Sequence, residues 1–244
     1  VLLHEHLAAA AAQRGGHTAL ICGGTSYTYA GILASAERLA ETLAILGVDR
    51  GKRVAIYLGN TPEAVIALYA TWIAGGCVVP IGMATPVERC IAQVKHSGAS
   101  ALIAPGNRAA AIATATAASD IALELLWVGT PHSPVRGMTW DKHTGCDPLM
   151  GDQLLERAGG VKPHPVVGES DLAAIIYTSG SSGTPKGVTH THASVTAAIE
   201  SIVEYLQNGP DDVILSVLQL NFSYGILQLL ATVRTQATLV LENG

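Results

Sequence analysis

The chain has 244 residues, 49% of them hydrophobic, 14% charged and 5% aromatic, enough to bury the core of one large domain or two small ones. Its formal charge of -5 comes with no Lys/Arg cluster, which argues against a nucleic-acid partner. Four scattered cysteines, Cys22, Cys77, Cys90 and Cys146, form no CxxC pair and no disulfide framework, so they read as thiols of a reducing cytoplasm.

The start, Val1–Leu7, lacks a basic n-region and carries Glu5, unlike a secretory signal. Leu2–Arg14 reads as a helix and His17–Cys22 as a strand, turned by Gly23-Gly24 into Ser26–Tyr29. Thr28 stands where an N-cap belongs, ahead of Leu33, Ala36, Leu39, Ala40, Leu43 and Leu46 at helical spacing, and Gly47 stands at the C-terminus. Val54–Leu58 is a short apolar strand. Thr61-Pro62-Glu63 combines a cap, a first-turn proline and an acid near the positive end of the helix dipole.

Ala64–Val87 contains no charged residue and is long enough to cross a bilayer. Gly75-Gly76 and Pro80 interrupt it, so a helix Pro62–Ala74 followed by a strand Cys77–Ile81 is expected, with no membrane span. Thr85-Pro86-Val87-Glu88 repeats the start signal for a helix that reaches Ser97 and stops at Gly98; the strand Ala101–Ala104 and an Ala/Thr-rich helix near 109–118 follow. Regularity fails between Thr130 and Glu169, apart from a helical piece at Gln153–Ala158.

Residues 1–129 are therefore expected to form a first α/β lobe, 130–170 a connector and 171–244 a second lobe. There the apolar strand Leu172–Tyr177 leads through a loop to a short strand Val188–His190 and a helix from Ala193 to Gln207, with Val195, Ile199, Ile202 and Leu206 in one stripe. Val213–Leu218 and Thr238–Leu241 add strands. The alternation predicts an α/β fold of mostly parallel sheets flanked by helices.

The loop between the first two of those strands carries the chemistry. It leaves the end of a buried strand, where open α/β sheets place ligands. Gly180, Gly183 and Gly187 allow positive φ and close backbone approach. Thr178, Ser179, Ser181, Ser182 and Thr184 add hydroxyls, and Lys186 a full positive charge. Backbone N–H groups, hydroxyls and a lysine make a cradle for a polyphosphate. Pro185 before Lys186 and Gly187 after it exclude a Walker A loop, and G-x-G-x-x-G is absent. His190 and His192 lack a third metal ligand and read as capping or solvent-exposed residues.

Tyr177–Val188 resembles the phosphate-loop signature Y-T-S-G-S/T-T-G-x-P-K-G-V of the adenylate-forming superfamily, which includes acyl-CoA synthetases, adenylation domains of peptide synthetases and luciferases. Ser182 replaces the usual Thr and keeps the hydroxyl. Thr28-Tyr29, Gly47–Ile56, Asn60–Glu63, Ala74–Pro80, Glu169–Ala173 and Thr191-His192 resemble further stretches of the family in the same order, so the resemblance covers nearly the whole chain.

It implies an acid–thiol ligase that joins a small carboxylic acid to ATP as an acyl-adenylate. A thiol of coenzyme A or of a phosphopantetheine arm, on an acyl- or peptidyl-carrier protein, then takes the acyl group. It also implies that Thr178, Ser179, Gly180, Ser181, Ser182, Gly183, Thr184 and Gly187 wrap the phosphates of MgATP, with Lys186 catalytic.

Ser216–Gly225 resembles the family's substrate-side segment, with Phe222 in place of a common His and Gln219 in place of Pro. Phe222-Ser223-Tyr224-Gly225 with Gln228-Leu229 is closer to acyl-CoA ligases of bacterial exopolysaccharide and exosortase loci. Phe222, Tyr224 and Gly225 are the implied acid-binding residues, with core packing of the two rings as the alternative. No Asp is present to hold an amino group, so an acyl or aryl acid is expected over an amino acid.

Gln236 stands where relatives often have Gly. Trp72 reads as core and Asp211-Asp212 as a turn. The family's Tyr-Gly-x-Thr-Glu stretch, ribose-binding Asp, hinge and C-terminal lysine, which serve Mg2+, ribose, adenine and catalysis, have no counterpart within 1–244. The expectation is an N-terminal fragment, weak in adenylation by itself. The alternatives are a half-length, non-catalytic binding or assembly module of the same fold, or an amino-acid adenylation domain.

Overall fold

The computed structural model describes residues 1–131, 135, 137–141, 145–148, 165–178 and 186–242. In chain order these form α1 (Leu3–Arg14), β1 (Thr18–Cys22), β2 (Thr25–Thr28), α2 (Tyr29–Ile45), β3 (Arg53–Ile56), α3 (Pro62–Ile73), β4 (Cys77–Pro80), α4 (Val87–Ser97), β5 (Ala99–Pro105) and α5 (Ala109–Ser119). Then follow β6 (Glu124–Val128), β7 (Met138–Asp141), β8 (Gly145–Pro148), β9 (Leu172–Thr178), β10 (Lys186–Thr191), α6 (His192–Leu206), β11 (Val213–Ser216), α7 (Ser223–Arg234) and β12 (Thr238–Leu241).

Local chemistry sets several boundaries. Thr28 and Thr61 each cap a helix, their side chains accepting from the N–H of Gly31 and Ala64. Gly98 ends α4 with φ 64°. Thr85 does not cap that helix: Pro86 occupies the N-cap and gives no side-chain bond, while the Thr85 N–H bonds back to the Gly82 carbonyl in a turn.

The strands form two sheets, β10-β9-β4-β3-β5-β6-β7-β8 and β11-β12-β1-β2. Pairing is parallel except at β10/β9, β7/β8 and β1/β2. The large sheet is covered on both faces, as a mostly parallel sheet requires. Along β3, Val54 and Ile56 enter one core while Ala55 enters the other, and β5 divides Ala101 and Ile103 from Leu102 and Ala104 in the same way. The first core joins α1, α2, α3 and α7 to both sheets; the second packs α4 and α5 on the outer face.

Helix α3 is buried nearly all round, as its apolar run Ala64–Ala70 demands. Trp72 is fully buried, and its Nε1–H donates to the Ala173 carbonyl at 2.9 Å, tying α3 to β9. Among the described residues no helix is long and apolar enough to cross a membrane. Cys22, Cys77 and Cys90 are buried, and among the described residues none forms a disulfide.

Two elements differ from expectation. The stretch read as connector holds β7 and β8, which extend the large sheet, and a full helix, α7, follows Phe222. The helical piece expected at Gln153–Ala158 lies outside the described residues. The sheets also draw on both ends of the chain: β1 pairs with β12, and β9 with β4. Strands from 1–129 and from 171–244 share both sheets, and those of 130–170 lie in the large one.

Candidate nucleotide and acid site

Strands β9 and β10 are antiparallel, with Lys186 opposite Thr178 and Gly187 opposite Tyr177. They form a hairpin whose two ends bracket the phosphate-like loop. Thr178 and Lys186 are exposed at its open end, and among the described residues Lys186 forms no ion pair. Ser179, Gly180, Ser181, Ser182, Gly183 and Thr184 lie outside the described residues.

Lys186 and Gly187 belong to the ladder rather than to an irregular loop. Gly187 is not in the left-handed region expected of it. A Cβ there would stand 2.6 Å from Ile175 Cγ2 and 3.4 Å from the Tyr177 ring, so the strand needs glycine for space. The Tyr177 hydroxyl lies 2.7 Å from His96 Nδ1 and 3.3 Å from the Gln93 carbonyl, both on α4.

The base of β9 is held by Asp171. Arg50 donates Nε to Asp171 Oδ2 at 2.8 Å and Nη2 to Oδ1 at 3.0 Å, and the Gly168 N–H adds a third bond at 2.7 Å. The Arg50 hydrogen bond, then the Gly168 N–H, holds the Asp171 carboxyl below its usual range.

After β10, Thr191 and Ser194 form a reciprocal cap of α6. His192, expected as a cap or at the surface, is 1% exposed. Its Nδ1 accepts from the Leu3 N–H at 3.3 Å, and burial, reinforced by nearby His4, lowers its pKa to about 4. Among the described residues no three His, Cys, Asp or Glu side chains converge on a metal site.

On the acid side, Phe222 is the N-cap of α7 and 53% exposed, and Tyr224 is 75% exposed. Neither ring packs in the core, because the first turn of α7 directs them outward. Gly225 is buried at the start of α7; a Cβ there would stand 2.3 Å from the Gln219 carbonyl. Beside them a cleft of about 90 Å³ is lined by Trp72, Ile176, His190, Ser194, Ser223 and Ile226, among others. It brings the face of the hairpin and the N-terminus of α7 together, with Ser223 rather than Phe222 or Tyr224 on its wall.

Asn60 carried no role in the sequence reading. It is 4% exposed; its Nδ2 donates to the carbonyls of Leu218 (3.0 Å) and Glu242 (3.1 Å), and its Oδ1 accepts from the Leu220 N–H (2.9 Å). Its partners are 158 to 182 residues away, so no local pattern announces them.

Comparison with known proteins shows what the chain as a whole is similar to. The chain is 29% identical over 240 residues to phosphinothricin tripeptide synthetase PhsC of Streptomyces viridochromogenes, covering 98% of this chain and 20% of that protein. It is 30% identical over 216 residues to an L-proline--[L-prolyl-carrier protein] ligase of Streptomyces coelicolor, covering 85% and 38%. The fold matches the crystal structure of a benzoate CoA ligase from Burkholderia xenovorans LB400 with a TM-score of 0.77 at 24% identity, over all of this chain and 46% of that one. The chain thus spans less than half the length of each of these three. Residues 7–244 match the family model for AMP-binding enzymes, and the chain belongs to that family of adenylate-forming ligases.

Proposed function

We propose that the protein activates a carboxylic acid with ATP, and that the hairpin loop Thr178–Gly187 holds the β- and γ-phosphates while the carboxylate attacks the α-phosphorus. The observation that carries this reading is the antiparallel pairing of Thr178 with Lys186. It sets a hydroxyl and an ammonium side by side at the mouth of a loop rich in further donors. In the transition state, negative charge builds on the departing pyrophosphate, and Lys186 with the loop hydroxyls and N–H groups stabilises it more than the ground state. Mg2+ would accompany ATP and would screen the charge of its phosphates.

The acid is an acyl or aryl acid rather than an amino acid. Among the described residues, the cleft beside Ser223 is lined largely by aliphatic side chains and by no carboxylate that could hold an ammonium group. The acyl-adenylate then passes to a thiol, of coenzyme A or a phosphopantetheine arm, with release of AMP. Residues 1–244 alone are expected to exchange weakly, because the family stretches for ribose, adenine and the C-terminal lysine have no counterpart among them.

The test is acid-dependent ATP–pyrophosphate exchange by the full-length protein, comparing aliphatic and aryl acids with α-amino acids. Exchange with the former, and AMP release on adding thiol, is the expected result. Exchange with α-amino acids alone contradicts the acid class, and none with any acid contradicts the activity.

A further inference from the structure

Asn60 follows β3 at the C-terminal edge of the large sheet, and its three hydrogen bonds all reach the small sheet and the segment beyond it. Two of them bracket Gln219, from the Leu218 carbonyl to the Leu220 N–H, and fix the path of the chain as it leaves β11. The third holds the end of β12 at Glu242. An amide is suited to this task because it donates twice and accepts on one planar group.

A second contact lies just after β4. A Cβ on Gly82 would stand 2.8 to 3.0 Å from the side-chain amide of Asn221, so Asn221 rests directly on the Gly82 backbone. Downstream, the Phe222 N–H bonds to the Gln219 carbonyl, the Ile226 N–H bonds to the Phe222 carbonyl, and buried Gly225 packs against the same Gln219 carbonyl. Displacing residues 218–221 therefore displaces the first turn of α7.

We propose that Asn60, supported by Gly82, is a positioning residue that sets residues 218–225 against the large sheet and so governs affinity for the acid, while leaving the phosphate loop alone. The link to the acid rests on the function proposed above; the clamp itself does not. The hairpin loop is anchored separately, through Tyr177 to α4 and through Asp171 to Arg50, so the two halves of the site can be perturbed independently.

The experiment has two arms on the full-length protein. In the first, hydrogen–deuterium exchange without substrates follows peptides covering 216–228 and 172–178 in wild type, Asn60→Ala and Gly82→Ala. Faster exchange confined to 216–228 is expected; unchanged exchange there overturns the clamp.

In the second arm, pyrophosphate exchange gives KM for acid and for ATP separately. Asn60→Ala is expected to raise the acid KM by about tenfold or more, with the ATP KM within about twofold. Asn60→Asp turns an oxygen toward the Leu218 and Glu242 carbonyls. Its defect is expected to ease as pH falls and the carboxyl gains a proton to donate, a recovery Asn60→Ala cannot show. Equal shifts in both KM values, or no shift in the acid KM, overturn the positioning role. If wild type exchanges with no acid, the proposed activity fails, and the first arm still decides the clamp.

Discussion

The hydroxyl of Tyr177 lies 2.7 Å from His96 Nδ1, and the two rings meet edge to face with centroids 5.7 Å apart. This pair fastens the last turn of β9 before the candidate phosphate loop to the surface helix α4. The same tyrosine ring fills the space left by Gly187 across the ladder. The candidate phosphate loop is thus entered from a strand end fixed by residues outside it.

Gly187→Ala tests that root. The added methyl meets Ile175 Cγ2 at 2.6 Å, and overpacking of this kind costs about 1–3 kcal/mol. Thermal unfolding is expected to show that loss, and pyrophosphate exchange a fall through a displaced Lys186. Tyr177→Phe keeps the ring and loses only the polar link, with an expected cost of about 1 kcal/mol. A Gly187→Ala protein as stable and active as wild type would contradict the packing role of the glycine.

The tie between α3 and β9 is a second target. Trp72→Phe keeps most of the apolar volume but leaves the buried Ala173 carbonyl without its indole donor. A loss of about 1–3 kcal/mol in denaturant unfolding is expected.

His192 makes the fold sensitive to acid. Its pKa is lowered from 6.5 to about 4 by burial. The unfolded chain therefore binds a proton that the folded chain refuses between those values, and stability rises with pH across the window. As pH falls through it, up to ~3 kcal/mol is lost from this group. Buried His6 shifts in the same direction. His192→Asn keeps an acceptor for the Leu3 N–H and cannot titrate. Unfolding curves between pH 7 and about 4 are expected to show a shallower decline for the variant; parallel curves would exclude His192 as the source.

Much of the architecture was legible locally. Thr28, Thr61 and Gly98 act at helix ends where their chemistry says they should. Gln236, which stands in place of the glycine of the family pattern that the sequence resembles, adopts φ 60°, a left-handed conformation that glycine takes without steric cost. Strands β7 and β8 escaped notice because each has only four residues: the apolar–polar alternation of Met138–Asp141 is too short to stand out, Gly145–Pro148 has none, and both are strands through pairing with each other and with β6. Helix α7 was missed because its first turn, Ser223-Tyr224-Gly225, follows Phe222, which caps with no side-chain bond. The residue types of the loop were readable. The reason for Gly187, the burial of His192 and the reach of Asn60 were not, because each depends on a strand or segment distant in sequence.

The central claim is that Lys186, beside Thr178 at the mouth of the loop, stabilises the departing pyrophosphate. The most direct measurement is acid-dependent ATP–pyrophosphate exchange by the full-length protein carrying Lys186→Ala, with unfolding curves matched to wild type. A fall of about 10²–10³-fold is the predicted result; exchange at the wild-type rate would contradict it.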